Sequence, residues 1–434
     1  MQKAILTILT VMAVTLFNTG CSDLRNETQT GAVTAENSGY SASSREPAYL
    51  ADAYELISVL EGTHPAFVLG DIPDGYEQEK QEFIDLVTKD TTKEEFALLI
   101  RKYLAVLKDA HTGVYTGSST LFLDMDCWAA GNEMFLLNKD GSLSEDRVTH
   151  IGGVPVSRIF EIVEDYFVAE NDAARELNNS TWALNHDVLE LAGCEITNDS
   201  AVVTIERESM ANTKNVKFVS KDIYRSYPYK VSSQRIGGDI FYIDLNACQD
   251  DKDLKEHAKR LKDAVKNGIT KVIIDVRDNS GGNSMACVRL LNAMGMEPPG
   301  YGCFIRYSEL ARKIHRCPSE GHKQYDPDRA RARKNEKIEL VVLANERTFS
   351  SATMMAVFVQ DGGLGTVIGR PSSNSPSNYG DVLPYKLPVS GIEVAISYKR
   401  WLRPDTEADQ KVLWPDIVTD RGEDALKRAI EYLS

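Results

Sequence analysis

Ser350 stands between an apolar run, residues 338–344 (IELVVLA), short enough for a buried strand, and a helical pattern over residues 352–360 (ATMMAVFVQ) closed by Asp361, Gly362 and Gly363. A hydroxyl at a strand-to-helix junction lies where unpaired backbone N–H groups point outward and the helix dipole favours negative charge. An attacking serine alkoxide and the oxyanion that it creates both gain there. The competing reading is structural: Ser350 or Ser351 merely caps the helix.

A serine nucleophile needs a base. Thr92-Lys93-Glu94-Glu95 has the form of a capping box. The helix that it opens carries Phe96, Leu99, Ile100, Tyr103, Leu104 and Leu107 at helical spacing and runs out at Lys108. His111, in the stretch DAHTG (residues 109–113), therefore falls just beyond a helix end, held by a glycine-containing turn. A neutral imidazole can accept a serine proton near neutral pH. The other histidines take plainer readings: His64 in a turn, His315 and His322 in a charged excursion, and His150, His186 and His257 without patterned partners.

The elements that must position these groups follow two rhythms. From residue 236 the chain alternates strand and helix: a strand at 240–245, a helix with the stripe Leu254, Ala258, Leu261 and Val265, a strand at 271–276, a turn, and a helix at 285–294. Such alternation implies a mostly parallel sheet with crossover helices. Residues 306–337 break the rhythm with a mainly basic excursion, which reads as a solvated loop, with a mobile lid as its functional alternative. Residues 47–115 read as helical and residues 116–235 as mixed. Within the latter, "IGGVPV" (residues 151–156) resembles the turn of a PDZ-like α+β module, followed by a helix at 157–167 and a strand at 201–206.

The order strand, "DVRDNSGG" (residues 275–282), helix, strand, "ANERTFSSATMMAVFVQD" (344–361), "GTVIG" (365–369) and finally "WPDIV" (414–418) resembles the tail-specific, or C-terminal-processing, serine proteases. Their clan includes the tricorn protease core and the chlamydial protease-like activity factor. The resemblance implies a ClpP/crotonase-like α/β core. It implies Ser350 as nucleophile, with the N–H of Ser351 and one from Gly281 or Gly282 as oxyanion donors. Glycine suits the latter role because it lets backbone approach a substrate closely.

The chain departs from the commonest pattern at one place. Those proteases carry a lysine about 25 residues after the serine; here Ser375 has that spacing, and no lysine occurs between Lys337 and Lys386. The tricorn-like branch uses a histidine from the N-terminal region and a late acid instead. "DAHTG" is similar to the stretch carrying that histidine, which implies His111. The acid is then expected among Asp405, Glu407 and Asp409, with Asp409 favoured by spacing and Glu407 next. It would orient the imidazole and stabilise the imidazolium. Two alternatives stay open: a catalytically inactive peptide- or ligand-binding member of the same fold, and a Ser-Lys enzyme using Lys399.

Bulk properties bound the partners. With 49 basic and 64 acidic residues, a net charge of −15 in 434 residues, the chain repels nucleic acid. The expected partner is a protein or peptide substrate, and no cofactor or metal is expected, because zinc-type spacing, a P-loop and a dinucleotide fingerprint are missing from the sequence. The apolar run at residues 4–17 is too short to span a bilayer and reads as a signal peptide, residues 1–20. It ends at Cys21, which resembles a bacterial lipoprotein processing site. Residues 21–46 then read as a disordered tether, and the protein as exported and lipid-anchored in the bacterial cell envelope. The domain plan is completed by a helical domain at 47–115, the PDZ-like module at 116–235 and a protease core at 236–434. Export permits disulfides, with Cys303 and Cys317 the most local pair, while Cys287 reads as a small core residue.

Overall fold

The computed structural model describes residues 47–114, 120–221 and 231–434. The signal segment, Cys21 and the tether lie outside the described residues.

A six-stranded sheet organises the C-terminal part. Ser232–Ile236 pairs antiparallel with Ile240–Asp244; then Lys271–Asp275, Glu339–Ala344, Thr366–Gly369 and Ile417–Val418 add in parallel. Parallel neighbours need crossovers, which the helices Lys252–Lys266, Met285–Ala293 and Ser351–Asp361 supply. These helices share one apolar core with one face of the sheet, around Ile243, Val272, Ile274, Val342 and Val357. The last helix, Ala425–Leu433, covers the other face against Ile273, Val341 and Ile368. Strands buried on both faces explain the unbroken apolar runs in the sequence.

A second sheet of five strands is antiparallel throughout. Glu393–Leu402 pairs with Gly113–Val114, Gly302–Arg306 and Asn378–Lys386, and Gly302–Arg306 pairs with His322–Tyr325. The N-terminal helices pack on this sheet through Leu56, Leu60, Phe96 and Ile100 against Val394 and Ile396. The helix Lys93–Ala105 starts with the reciprocal capping box expected of Thr92 and Glu95: Glu95 N–H donates to Thr92 Oγ1 (3.2 Å) and Thr92 N–H to Glu95 Oε2 (2.8 Å). The middle of the chain forms a third, antiparallel sheet with its own apolar core under the helices Val156–Tyr166 and Asp172–Trp182.

Two expectations need correction. The excursion after residue 305 is not a structureless loop: it contains the helix Glu309–His315 and the strand His322–Tyr325. Leu310 and Ala311 are buried against Leu383 and Tyr398, and Arg306 donates to the carbonyls of Glu61 and His64. Its high charge hid a short amphipathic helix. Cys303 and Cys317 are both free thiols, Cys303 buried in its strand and Cys317 just beyond the helix.

Candidate active site

The turn that carries Ser350 is built from backbone outward. Where the strand Glu339–Ala344 ends, Thr348 Oγ1 accepts from Asn345 N–H (3.0 Å) and donates to the Val276 carbonyl (2.9 Å). Phe349 N–H reaches the Asn279 carbonyl (2.9 Å). The turn is thus tied to the glycine-bearing turn after Lys271–Asp275. Ser350 is held at φ 54°, ψ −124°, a region that costs a non-glycine residue about 1–3 kcal/mol and that proteins keep mainly at functional sites. Ser350 makes no side-chain cap bond, and Ser351 Oγ donates to the Gly282 carbonyl (2.7 Å) instead of capping the helix. The cap reading of both serines therefore fails.

Gly281 and Gly282 divide the expected oxyanion role. Gly281 N–H already donates to Asn279 Oδ1 (2.8 Å). Its part is closeness: a Cβ there would sit 2.6 Å from Ser350 Cβ. Gly282, at φ 129°, faces the Cys248 carbonyl, 2.3 Å from where a Cβ would stand. Among the described residues, the N–H groups of Gly282 and Ser351 donate to no protein acceptor. Two unpaired N–H groups flanking a serine are what a developing oxyanion needs. Beneath them lie the buried thiols of Cys248 and Cys287, 3.8 Å apart, with Cys287 Sγ 3.3 Å from the Ser351 carbonyl.

His111 reaches this turn from the other sheet. The helix Lys93–Ala105 ends and the chain turns through Lys108 at φ 51°. Asp109 is wholly buried and anchors the next three residues: Oδ1 accepts from His111 N–H (2.9 Å), and Oδ2 contacts His64 Nε2 (3.1 Å) and accepts from Thr112 Oγ1 (2.6 Å). His64 Nδ1 accepts from Ala66 N–H (3.3 Å), so His64 donates to Asp109 through Nε2. His64 is thus a buried support for the histidine loop rather than a simple turn residue. Burial alone would raise the Asp109 pKa, yet the hydrogen bond from His64, the charge of His111 and the Thr112 bond hold it well below the usual carboxylate range. Thr112 Oγ1 also accepts from Ser397 N–H (3.0 Å), which pins the loop to the strand Glu393–Leu402. The outcome is an imidazole lying on Phe349, the neighbour of Ser350, with ring centroids 4.7 Å apart.

Of the expected late acids, Asp405 and Asp409 have their carboxylates engaged elsewhere. Asp405 pairs with Arg329, Glu407 N–H bonds to Asp405, and Asp409 Oδ1 accepts from the N–H groups of Lys411 and Val412. Buried Arg403 fastens that loop by gripping Asp361 and donating to the Asp409 carbonyl (2.8 Å). Among the described residues, no hydrogen bond or ion pair joins Asp405, Glu407 or Asp409 to His111. Lys399 is buried in an ion pair with Asp381. Burial pulls its pKa down, but Asp381 outweighs this and moves it above the ordinary lysine value. A protonated amine cannot serve as a base.

A residue that the sequence did not flag approaches instead. Glu170 immediately precedes Asn171, the N-cap of the helix Asp172–Trp182. Its Oε1 accepts from Ala110 N–H (3.1 Å), and its Oε2 from Asn374 Nδ2 (2.8 Å) and Ser375 N–H (2.7 Å). Asn374 Oδ1 accepts from Ser350 N–H (2.8 Å). Burial pushes the Glu170 pKa up, opposed chiefly by the charge of His111. Glu170, Asp109 and His111 each present a potential ligand atom, all within 4.8 Å of one another. Both carboxylates already accept from protein donors, so the trio forms a hydrogen-bonded cluster without needing a metal. No local pattern could have singled out Glu170, because its role comes entirely from packing.

Residues 239–419 match the model of peptidase family S41. The chain therefore carries an S41 domain, that of a serine-type peptidase, and that domain holds Ser350, Gly281, Gly282 and Asn374. Among solved structures, the chain is similar to mature CPAF (TM-score 0.60, 12% identity, covering 89% of this chain and 95% of that one). Mature CPAF complexed with lactacystin gives a TM-score of 0.59 at 12% identity, covering 89% and 96%. At such identity the likeness concerns the fold. No curated protein matches the chain significantly.

Proposed function

We propose that this protein is a serine endopeptidase in which Ser350 attacks a peptide carbonyl, His111 takes and returns the proton, and the N–H groups of Ser351 and Gly282 hold the oxyanion. The observation that carries this reading is the strained Ser350 turn, flanked by two unpaired N–H groups, with the His111 ring resting on Phe349. The S41 match supports a protein or peptide as substrate. The 14-residue apolar run before Cys21 supports export with a lipid anchor on Cys21 at the bacterial cell envelope. The mixed middle module is read as PDZ-like, a substrate-presenting unit beside the protease core.

Purified Ser350→Ala and His111→Ala proteins, assayed beside wild type on an unfolded protein substrate, test the chemistry. Each should lose about 10⁴-fold in kcat, as triad members do. Equal hydrolysis by all three proteins would sink the reading.

A further inference from the structure

The relay needs an acid to hold the imidazole, and the late loop supplies none that bonds to it. We infer that Glu170, contributed by the middle module, is the positioning acid for His111. This inference rests on the Ser350–His111 reading.

Three observations converge. First, Glu170 ties the two halves of the site together. One carboxylate oxygen takes the N–H of Ala110, the residue before His111; the other takes Asn374 Nδ2, and Asn374 in turn takes the N–H of Ser350. A single side chain thereby sets the separation between the base and the nucleophile. Secondly, its carboxylate lies within 4.8 Å of a ring nitrogen of His111, whose Nδ1 is buried and has no hydrogen-bond partner. Catalytic hydrogen bonds are often long before substrate binds and tighten afterwards, so a movement of the ring towards Glu170 would close the bond; among the described residues, Glu170 Oε1 accepts only from Ala110. Thirdly, the nearer acid is committed. Asp109 Oδ1 is 3.8 Å from His111 Nδ1, but its carboxylate already takes bonds from His64, Thr112 and the His111 N–H.

Ser375 bears on the same assignment. It stands at the spacing where a base lysine is missing, and there its backbone N–H and hydroxyl both meet Glu170, the former at 2.7 Å to Oε2 and the latter at 3.5 Å to the carbonyl. This loop holds a carboxylate in place of an ammonium group. A carboxylate beside the base suits a histidine mechanism, because it stabilises imidazolium as the serine proton arrives.

The test uses the full chain and kinetics on an unfolded protein substrate. Glu170→Gln should lower kcat about 100-fold or more with KM nearly unchanged, and should move the acidic limb of kcat/KM to lower pH, because the charge stabilising imidazolium is gone. Glu170→Asp should recover part of the rate and keep the limb near its wild-type position. A merely structural role would change the amount of folded protein but not the limb. Should Glu170→Gln fold poorly, the pH dependence of Ser350 labelling by a fluorophosphonate in its folded fraction, reported per folded molecule, gives the same readout. The inference is overturned if Glu170→Gln retains the wild-type rate and profile, or if the loss and limb shift belong to Asp109→Asn or Asp409→Asn instead. Failure of the parent reading looks different: Ser350→Ala would then keep full activity.

Discussion

The His111 ring packs on the Phe349 ring at a centroid distance of 4.7 Å and an interplanar angle of 37°. Two segments about 240 positions apart meet there, one from a helix end on the antiparallel sheet and one from the strand-to-helix turn of the parallel sheet. Phe349 is held on its own backbone by Asn279, so its ring is a fixed wall for the imidazole. Aromatic contacts of this kind are worth about 0.5–1.5 kcal/mol. Phe349→Ala should therefore lower kcat/KM by about tenfold, a barrier change near 1.4 kcal/mol. Steady-state kinetics with a thermal melt as control checks this; an unchanged rate would mean that the ring does not hold His111.

Gly282 is the second sharp test. A methyl group at this position would meet the Cys248 carbonyl at 2.3 Å, and φ 129° is unfavourable for any other residue. Gly282→Ala should push the N–H away from the oxyanion and lower kcat by about 10²–10³-fold. Gly281→Ala should act differently, since its methyl would press on Ser350 itself; fluorophosphonate labelling of Ser350 should slow markedly. Normal labelling of both variants would remove the glycine turn from the mechanism.

The His64–Asp109 pair makes a prediction about acid stability. A carboxylate whose folded pKa is depressed adds stability that is fully present above its unfolded pKa, near 3.9, and fades as pH falls towards the folded value. The Asp109 value is held well below the usual range. Wild type should thus lose stability progressively below about pH 5 partly through this group. Asp109→Asn should be less stable at neutral pH by about 3 kcal/mol, the scale for breaking a buried pair. It should also show a flatter dependence of melting temperature between pH 5 and pH 3. Parallel curves for the two proteins would contradict this.

Lys399 separates the two base chemistries. If His111 is the base, Lys399→Met should keep kcat within about threefold. It should cost about 1–2 kcal/mol of stability, because its partner Asp381 is 42% exposed and part of the pair is screened by solvent. A loss of activity comparable to that of Ser350→Ala, in a protein that still melts cooperatively, would restore the lysine route.

The local parts of this site were legible in the sequence because their chemistry is carried by neighbours. A strand, a serine and a helix fall within residues 338–361, and the strain at Ser350 comes from joining them in so few residues. The capping box at Thr92 and Glu95 fixed where the helix before His111 begins, and its apolar spacing showed where it ends. Other features had no local mark. The strand His322–Tyr325 and the helix Glu309–His315 were masked by charge, because only one narrow face of that helix is buried.

What the chain order by itself determined is the strained serine turn, the glycine turn and the helix-end histidine, each specified by contiguous residues through backbone geometry. What only the tertiary structure decided is which groups surround them. Glu170 lies about 60 positions after His111 and 180 before Ser350, yet its carboxylate binds beside both. Asp409, at the more suggestive spacing, spends its carboxylate on its own loop. A carboxylate has no periodicity to reveal its partner; burial and the nearest unpaired donors choose it, and those exist only once the middle module has packed against the core.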